Sequence, residues 1–143
     1  MISPTESKHQ AQISHLYHAA PENIFGLLQN GTFFKLTGAD SVESDFKTGG
    51  SFTFEFNGRG TIYGSFEEII PNNKIRMNWN VKGFGRSGET DTKVCITLLM
   101  QGQTMVTIDH AGIKYDEAAR AKEKAWKEIL DDLEVLLLKS NER

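Results

Sequence analysis

Cys95 is the only cysteine in the sequence. One thiol closes no disulfide within the chain and builds no thiolate cluster for zinc, so neither device is expected to brace the fold. Long apolar runs are missing too, and no stretch approaches the ~20 residues that a membrane helix needs. The opening MISPTESKHQ is polar and carries no apolar core of a secretion signal. There is no excess of basic charge either. The formal net charge is −3, so nothing advertises a nucleic-acid backbone or an anionic membrane surface as partner. Taken together these absences lead to the expectation of a cytoplasmic protein without metal or cofactor.

What is present has an ordinary globular balance. Of the 143 residues 38% are hydrophobic and 24% charged, enough for one domain with a real core. The expected organisation is a flexible N-terminus over 1–11, a single domain over 12–139 and a short tail over 140–143. ISHLYH (13–18) reads as a short strand ended by Ala-Ala-Pro. Pro21 suits the first turn of a helix, where its missing N–H leaves nothing unpaired. PENIFGLLQN supplies the apolar stripe Ile24, Phe25, Leu27 and Leu28, and Asn30-Gly31 stops it. A second short helical piece over roughly 31–37 carries Phe33, Phe34 and Leu36.

From about residue 40 the apolar period changes to two. Segments 40–46, 50–57, 60–70, 74–82, 90–101 and 104–112 alternate and are separated by Gly, Asn and Pro turns. Short connections make them antiparallel, since a parallel crossover needs a dozen residues or more. The adjacent Ile69 and Ile70 break the alternation and suggest a bulge. Asp116 to Lys139 then contains neither glycine nor proline. Its apolar set Ala118, Ala125, Trp126, Ile129, Leu130, Leu133, Leu136 and Leu137 forms one stripe. Arg120, Glu123, Lys124, Lys127, Asp131 and Glu134 lie opposite. A lone antiparallel sheet with an apolar face needs a cover, and this helix is the element large enough.

The segments HAAPENIF (18–25), KTGGSFTFEF (47–56), GSFEEIIPNNKIRMNWN (64–80), VTIDHAGI (106–113) and AWKEILDDLEVLL (125–137) together resemble the helix-grip superfamily, also called START-like or SRPBCC. Within it they resemble the branch of activator of heat shock protein 90 ATPase homologues. Ala125-Trp126 stands where that branch commonly has Gly-Trp, and Phe33-Phe34 where it commonly has a tryptophan. The resemblance implies an α+β fold. A seven-stranded antiparallel sheet would curl around a long C-terminal helix, with two short helices between the first two strands. It also implies a cavity between sheet and helix that takes an apolar ligand, and by name alone a chaperone partner and a place in the stress response.

Strand parity then nominates the lining of such a cavity. On the inward face fall His15 and Tyr17; Phe52, Phe54 and Phe56; Met77 and Trp79; Ile96; Ile108 and His110. Trp126, Ile129, Leu130 and Leu133 meet them from the helix. A dry void of ~300 Å3 would cost about 7 kcal/mol, comparable to the roughly 5–15 kcal/mol that stabilises a domain. The interior must therefore be filled by side chains, wetted, or occupied. His15 and His110 would face one cavity if the first and last strands are neighbours. Neither has a carboxylate or serine placed beside it by spacing, so no catalytic residue is nominated.

Gly83-Phe84-Gly85-Arg86-Ser87-Gly88 matches a dinucleotide-binding pattern in letters only, because strand periodicity follows it where a helix is required. It reads as a hairpin loop whose Phe84 would sit at a pocket mouth. The four histidines lack metal-ligand spacing. The preferred reading is a binding module for a small hydrophobic or amphipathic ligand, as monomer or homodimer. The alternatives are a protein-interaction domain of co-chaperone or regulatory kind and a cyclase- or hydrolase-type enzyme using cavity histidines.

Overall fold

The computed structural model describes residues 9–84, 86–100 and 102–140, with the backbone alone at 86–90 and 140. In chain order the elements are β1 (His9–Tyr17), α1 (Pro21–Gln29), α2 (Thr32–Lys35), β2 (Ser41–Ser44), β3 (Ser51–Phe56), β4 (Gly60–Ile70), β5 (Lys74–Gly83), β6 (Arg86–Met100), β7 (Thr104–Ile113) and α3 (Asp116–Ser140). The strands form one open antiparallel sheet in the order β1-β7-β6-β5-β4-β3-β2. Consecutive hairpins build six of its strands, and β1 returns to pair with β7.

Local signals account for most boundaries. Pro21 opens α1 and Asn30 caps it, with Gly31 at φ 86° taking the left-handed turn that leads into α2. The expected bulge in β4 lies between Phe66 and Glu68, just ahead of the Ile69-Ile70 pair. Two further register shifts, between Trp79 and Val81 and between Val81 and Gly83, fall in the β5–β6 ladder. Bulges strengthen local twist, which curls the sheet at this end.

Four expectations need correction. β1 begins at His9, so residues 9–11 belong to the sheet rather than to a flexible N-terminus. Gln10 and Gln12 look like solvated polar residues, but their amides donate to Asp109 of β7, and Ala11 is buried between them. The hairpin tip after β5 is shorter than 83–88, because β6 already starts at Arg86 and Gly83 pairs with it; Gly85 lies outside the described residues. α3 is not the sole cover: Phe34 of α2 stacks on Phe54 at 4.9 Å, so α1 and α2 close one end of the sheet. Finally, Asp131 and Glu134 do not point away from the sheet. Both reach His15 of β1, Glu134 through Nε2 and Asp131 at 3.7 Å from Nδ1.

In the main core cluster aromatic rings touch in series, and a smaller cluster joins Ala11, Ile113 and Ala119. Phe52 meets Phe66 at 5.4 Å and Trp79 at 5.8 Å, and Trp79 meets Trp126 of α3 at 5.4 Å. At the other end Tyr17 is buried and donates its hydroxyl hydrogen to the Leu130 carbonyl at 2.7 Å, tying β1 to α3. Burial, and then the carboxylates of Glu134 and Asp131, hold its phenol well above the usual range. The neutral phenol is therefore the form the fold favours, so stability is full below the ordinary tyrosine value near 10 and falls as pH rises past it. Tyr17→Phe should cost about 0.5–1.5 kcal/mol at pH 7. Urea unfolding at pH 7 and at pH 10.5 checks both effects: the variant should lose less stability than the parent between the two.

Candidate functional site

The N-terminal and C-terminal halves of α3 meet the sheet differently. From Ile129 onward Leu130 and Leu133 fill the space completely, with Tyr17, Ile96 and Ile108 buried in the same cluster. In the first half Ala119 is buried against Ala11 and Ile113, while Ala118, Ala121 and Ala125, one or two turns apart, border open space. Three methyl groups cannot span the distance that leucines span, so a pocket of about 370 Å3 opens there.

Its floor is Trp79, Val81, Ile62 and His110 from the sheet with Trp126 and Ile129 from α3. Phe56, Arg59 and Thr37 line one side, and Phe84 and Lys122 also face the space. A sealed dry void of that size would cost on the order of 9 kcal/mol. The space instead reaches solvent beside Arg59, Ala121 and Ala125, all exposed.

Phe84 is positioned by the hairpin tip. It has φ 60°, its N–H donates to the Arg59 carbonyl at 2.6 Å, and its ring packs edge-on against Phe56 at 5.1 Å. The ring lies so near Gly60 that a Cβ there would stand 2.5 Å from it and 2.5 Å from the Lys82 carbonyl. Glycine at 60 is thus what lets the aromatic side chain fold over this end of the pocket.

The polar groups of the floor are spent on one another. Trp126 Nε1–H donates to His110 Nδ1 at 3.2 Å, and indole is a donor only, so Nδ1 carries no proton. The imidazole hydrogen is therefore on Nε2, which donates to Thr92 Oγ1 at 3.0 Å. Thr92 in turn donates to the Trp79 carbonyl at 2.5 Å. Every donor in the relay has one acceptor. Burial first, then the positive charge of Lys122, pushes the His110 imidazole down to about 3. Thr37 is used as well, donating to the Phe34 carbonyl at 2.6 Å and accepting from the Ala39 N–H at 3.3 Å.

Of the residues nominated from sequence, Phe56, Trp79, His110, Trp126 and Ile129 line this pocket. His15, Tyr17, Phe52, Phe54, Met77, Ile96, Ile108, Leu130 and Leu133 do not; apart from the half-buried His15 they are packed core. His15 and His110 are not in one cavity. His15 stacks on Tyr17 at 4.4 Å under the solid half of α3, with both ring nitrogens facing carboxylates. Parity finds the face of a strand and not the position along the helix, which is why these nine were nominated. The alanine spacing in α3 was the legible signal for the rest; Arg59 and Thr37, in connections between elements, left none. Among the described residues no group of three histidines, cysteines and acids is placed to hold a metal ion.

A curled antiparallel sheet closed over a C-terminal helix, with a pocket between them, defines the helix-grip class. The chain belongs to the family described as "Activator of Hsp90 ATPase homolog 1-like protein", whose profile matches residues 18–138. No curated protein matches the sequence. Among solved structures it is similar to an HSP90 activator from Plasmodium falciparum, at 27% identity over 90% of this chain and 95% of that one, with a TM-score of 0.68. It is also similar to the Aha1 dimer from Colwellia psychrerythraea, with 21% identity, coverage of 88% and 93%, and a TM-score of 0.70. Protein MLL2253 from Mesorhizobium loti has the same fold at 18% identity, with coverage of 92% and 98% and a TM-score of 0.77.

The depressed imidazole has a consequence for acid stability. The unfolded chain takes up a proton near the ordinary value of 6.5 and the folded chain only near 3, so stability is lost as pH falls through that window. The His110 contribution to the slope should approach about 1.4 kcal/mol per pH unit. Urea unfolding at pH 7, 5.5 and 4.5 checks it: His110→Gln should be less stable at pH 7 but flatter across the series.

Proposed function

We propose that the chain is a binding module holding a small hydrophobic or amphipathic ligand between the sheet and the alanine-bearing half of α3. One observation carries this reading: the pocket has a floor whose polar atoms are already satisfied by one another. A surface of that kind gains from contact with apolar material and loses no hydrogen bond on covering, which is how apolar ligand sites work. The volume of about 370 Å3 is in the range of small-molecule sites. An enzyme finds less support. His110 has no lone pair to offer a substrate, and His15 is engaged with Glu134 and Asp131 outside the pocket.

Protein contact is the second reading, and one feature favours it. Leu16, Met105 and Leu99 are register neighbours on the outer face across β1, β7 and β6, and Leu16 and Leu99 are exposed. Kinship with an HSP90 activator and with a dimeric Aha1 makes a chaperone or a second copy the partner to test. Among the described residues no helix is long and apolar enough to cross a membrane. Cytoplasmic residence is proposed with either reading.

Ala121→Phe separates the two. The side chain is exposed at the pocket edge, so the fold should tolerate the ring while the ring occupies the space. Native mass spectrometry and thermal-shift screening against apolar compounds should find ligands for the parent that the variant binds at least tenfold more weakly. Ligands held equally by both would remove the pocket from the account. Leu16→Lys with Leu99→Lys should instead leave ligand binding intact and weaken any self-association or chaperone contact seen in sedimentation or ATPase assays.

A further inference from the structure

The outer face of the sheet, opposite α3, carries a row of side chains that complements itself when reversed. Glu68, Arg76, Cys95, Asp109 and Gln12 stand opposite one another across β4, β5, β6, β7 and β1. Cys95 is the middle of the row. One strand to either side are a cation, Arg76, and an anion, Asp109; two strands out are a carboxylate, Glu68, and an amide, Gln12. Arg76 is exposed with Glu68 at 3.7 Å, and the Asp109 carboxylate is met by two neutral amides, those of Gln10 and Gln12. Lys93, next to Cys95 on this face of β6, is already paired with Glu67 at 2.5 Å.

The apolar residues of the face follow the same plan. Leu99 lies further along β6 on the Cys95 side. Leu16 lies two strands away on β1 and Ile70 two strands away on β4, in the opposite direction, and all three are exposed. A two-fold axis along β6, midway between two such faces, sets β6 against β6, β7 against β5 and β1 against β4. Asp109 of one copy then faces Arg76 of the other, and Gln12 faces Glu68, each pair occurring twice. Leu99 meets Leu99 on the axis, and Leu16 falls beside Ile70 of the other copy. Sheets that pack face to face stand about 10 Å apart with their strands nearly aligned, which this axis permits.

Resting on the protein-contact reading above and not on the pocket, we infer that the outer face pairs with a second copy of this chain, sheet on sheet about a two-fold axis along β6. The dimer covers three apolar side chains of each copy and pairs charges that the single chain leaves facing water. The pocket, on the α3 side of the sheet, stays open in it.

Sedimentation equilibrium of the full chain over a range of concentrations should show monomer and dimer in exchange. Arg76→Asp sets acid against acid at both charge pairs, and Asp109→Arg sets cation against cation, so each variant alone should dimerise about tenfold or more weakly than the parent. An equimolar mixture of the two restores both pairs and should dimerise to within about threefold of the parent. Circular dichroism checks the fold of each variant. A third readout needs no substitution, because Cys95 is the only thiol: its reaction with an aromatic disulfide reagent should slow as the protein concentration rises and dimer forms. A parent that stays monomeric would overturn the inference and leave the protein-contact reading to a foreign partner. A dimer whose Cys95 reacts as fast as the monomer's, or folded variants whose mixture associates no more tightly than each alone, would overturn this face as the interface.

Discussion

A hydrogen bond between two buried rings, from the Trp126 indole to His110 Nδ1, is the constraint on which this architecture turns. A polar imidazole inside an apolar cluster is costly unless each nitrogen has a partner. Here the indole fixes the tautomer, the tautomer fixes the direction of the bond to Thr92, and Thr92 closes on the Trp79 carbonyl. The relay joins α3, β7, β6 and β5 in one set of mutual requirements. It places both tryptophan rings at the pocket floor and leaves that floor without unmet hydrogen-bonding demand. The same arrangement makes the imidazole a structural group rather than a proton shuttle.

Around this point α3 does two jobs with two residue sizes. Its second half closes the core with Ile129, Leu130 and Leu133, and it is anchored from below by the Tyr17 hydroxyl. Its first half carries alanines: Ala119 packs on Ala11 and Ile113, and Ala118, Ala121 and Ala125 border the space left open beside them. The opening is compatible with stability because the dense half, and the rings under α1 and α2, supply the burial. It is compatible with water because its rim reaches solvent at Arg59, Ala121 and Ala125.

Much of the fold was legible in residue order. Period-two segments, Gly and Asn turns and a glycine-free terminal stretch determined seven antiparallel strands and one long helix. Pro21 and Asn30-Gly31 marked the ends of α1. The FTFEF rings showed the limit of such reading. Alternation correctly turned Phe52, Phe54 and Phe56 inward, yet two became core under α2 and Trp79, and only Phe56 reached the pocket. His15 was misplaced for the same reason. Its parity is inward, but its height along α3 sets it beside Glu134 and Asp131, which a helical wheel alone assigned to the far side.

By itself, the sequence determined which faces are apolar, where elements start and stop, and that one helix carries small residues in its first half. These are local properties, set by spacing along the chain and by the backbone preferences of single residues. Tertiary structure alone decided that Arg59, Lys122, Phe84 and the two tryptophans share one space, and that two histidines of equal parity have unrelated surroundings. The reason is geometric: spacing gives direction within an element, whereas contact between elements depends on twist, bulges and the depth to which packed side chains let them approach.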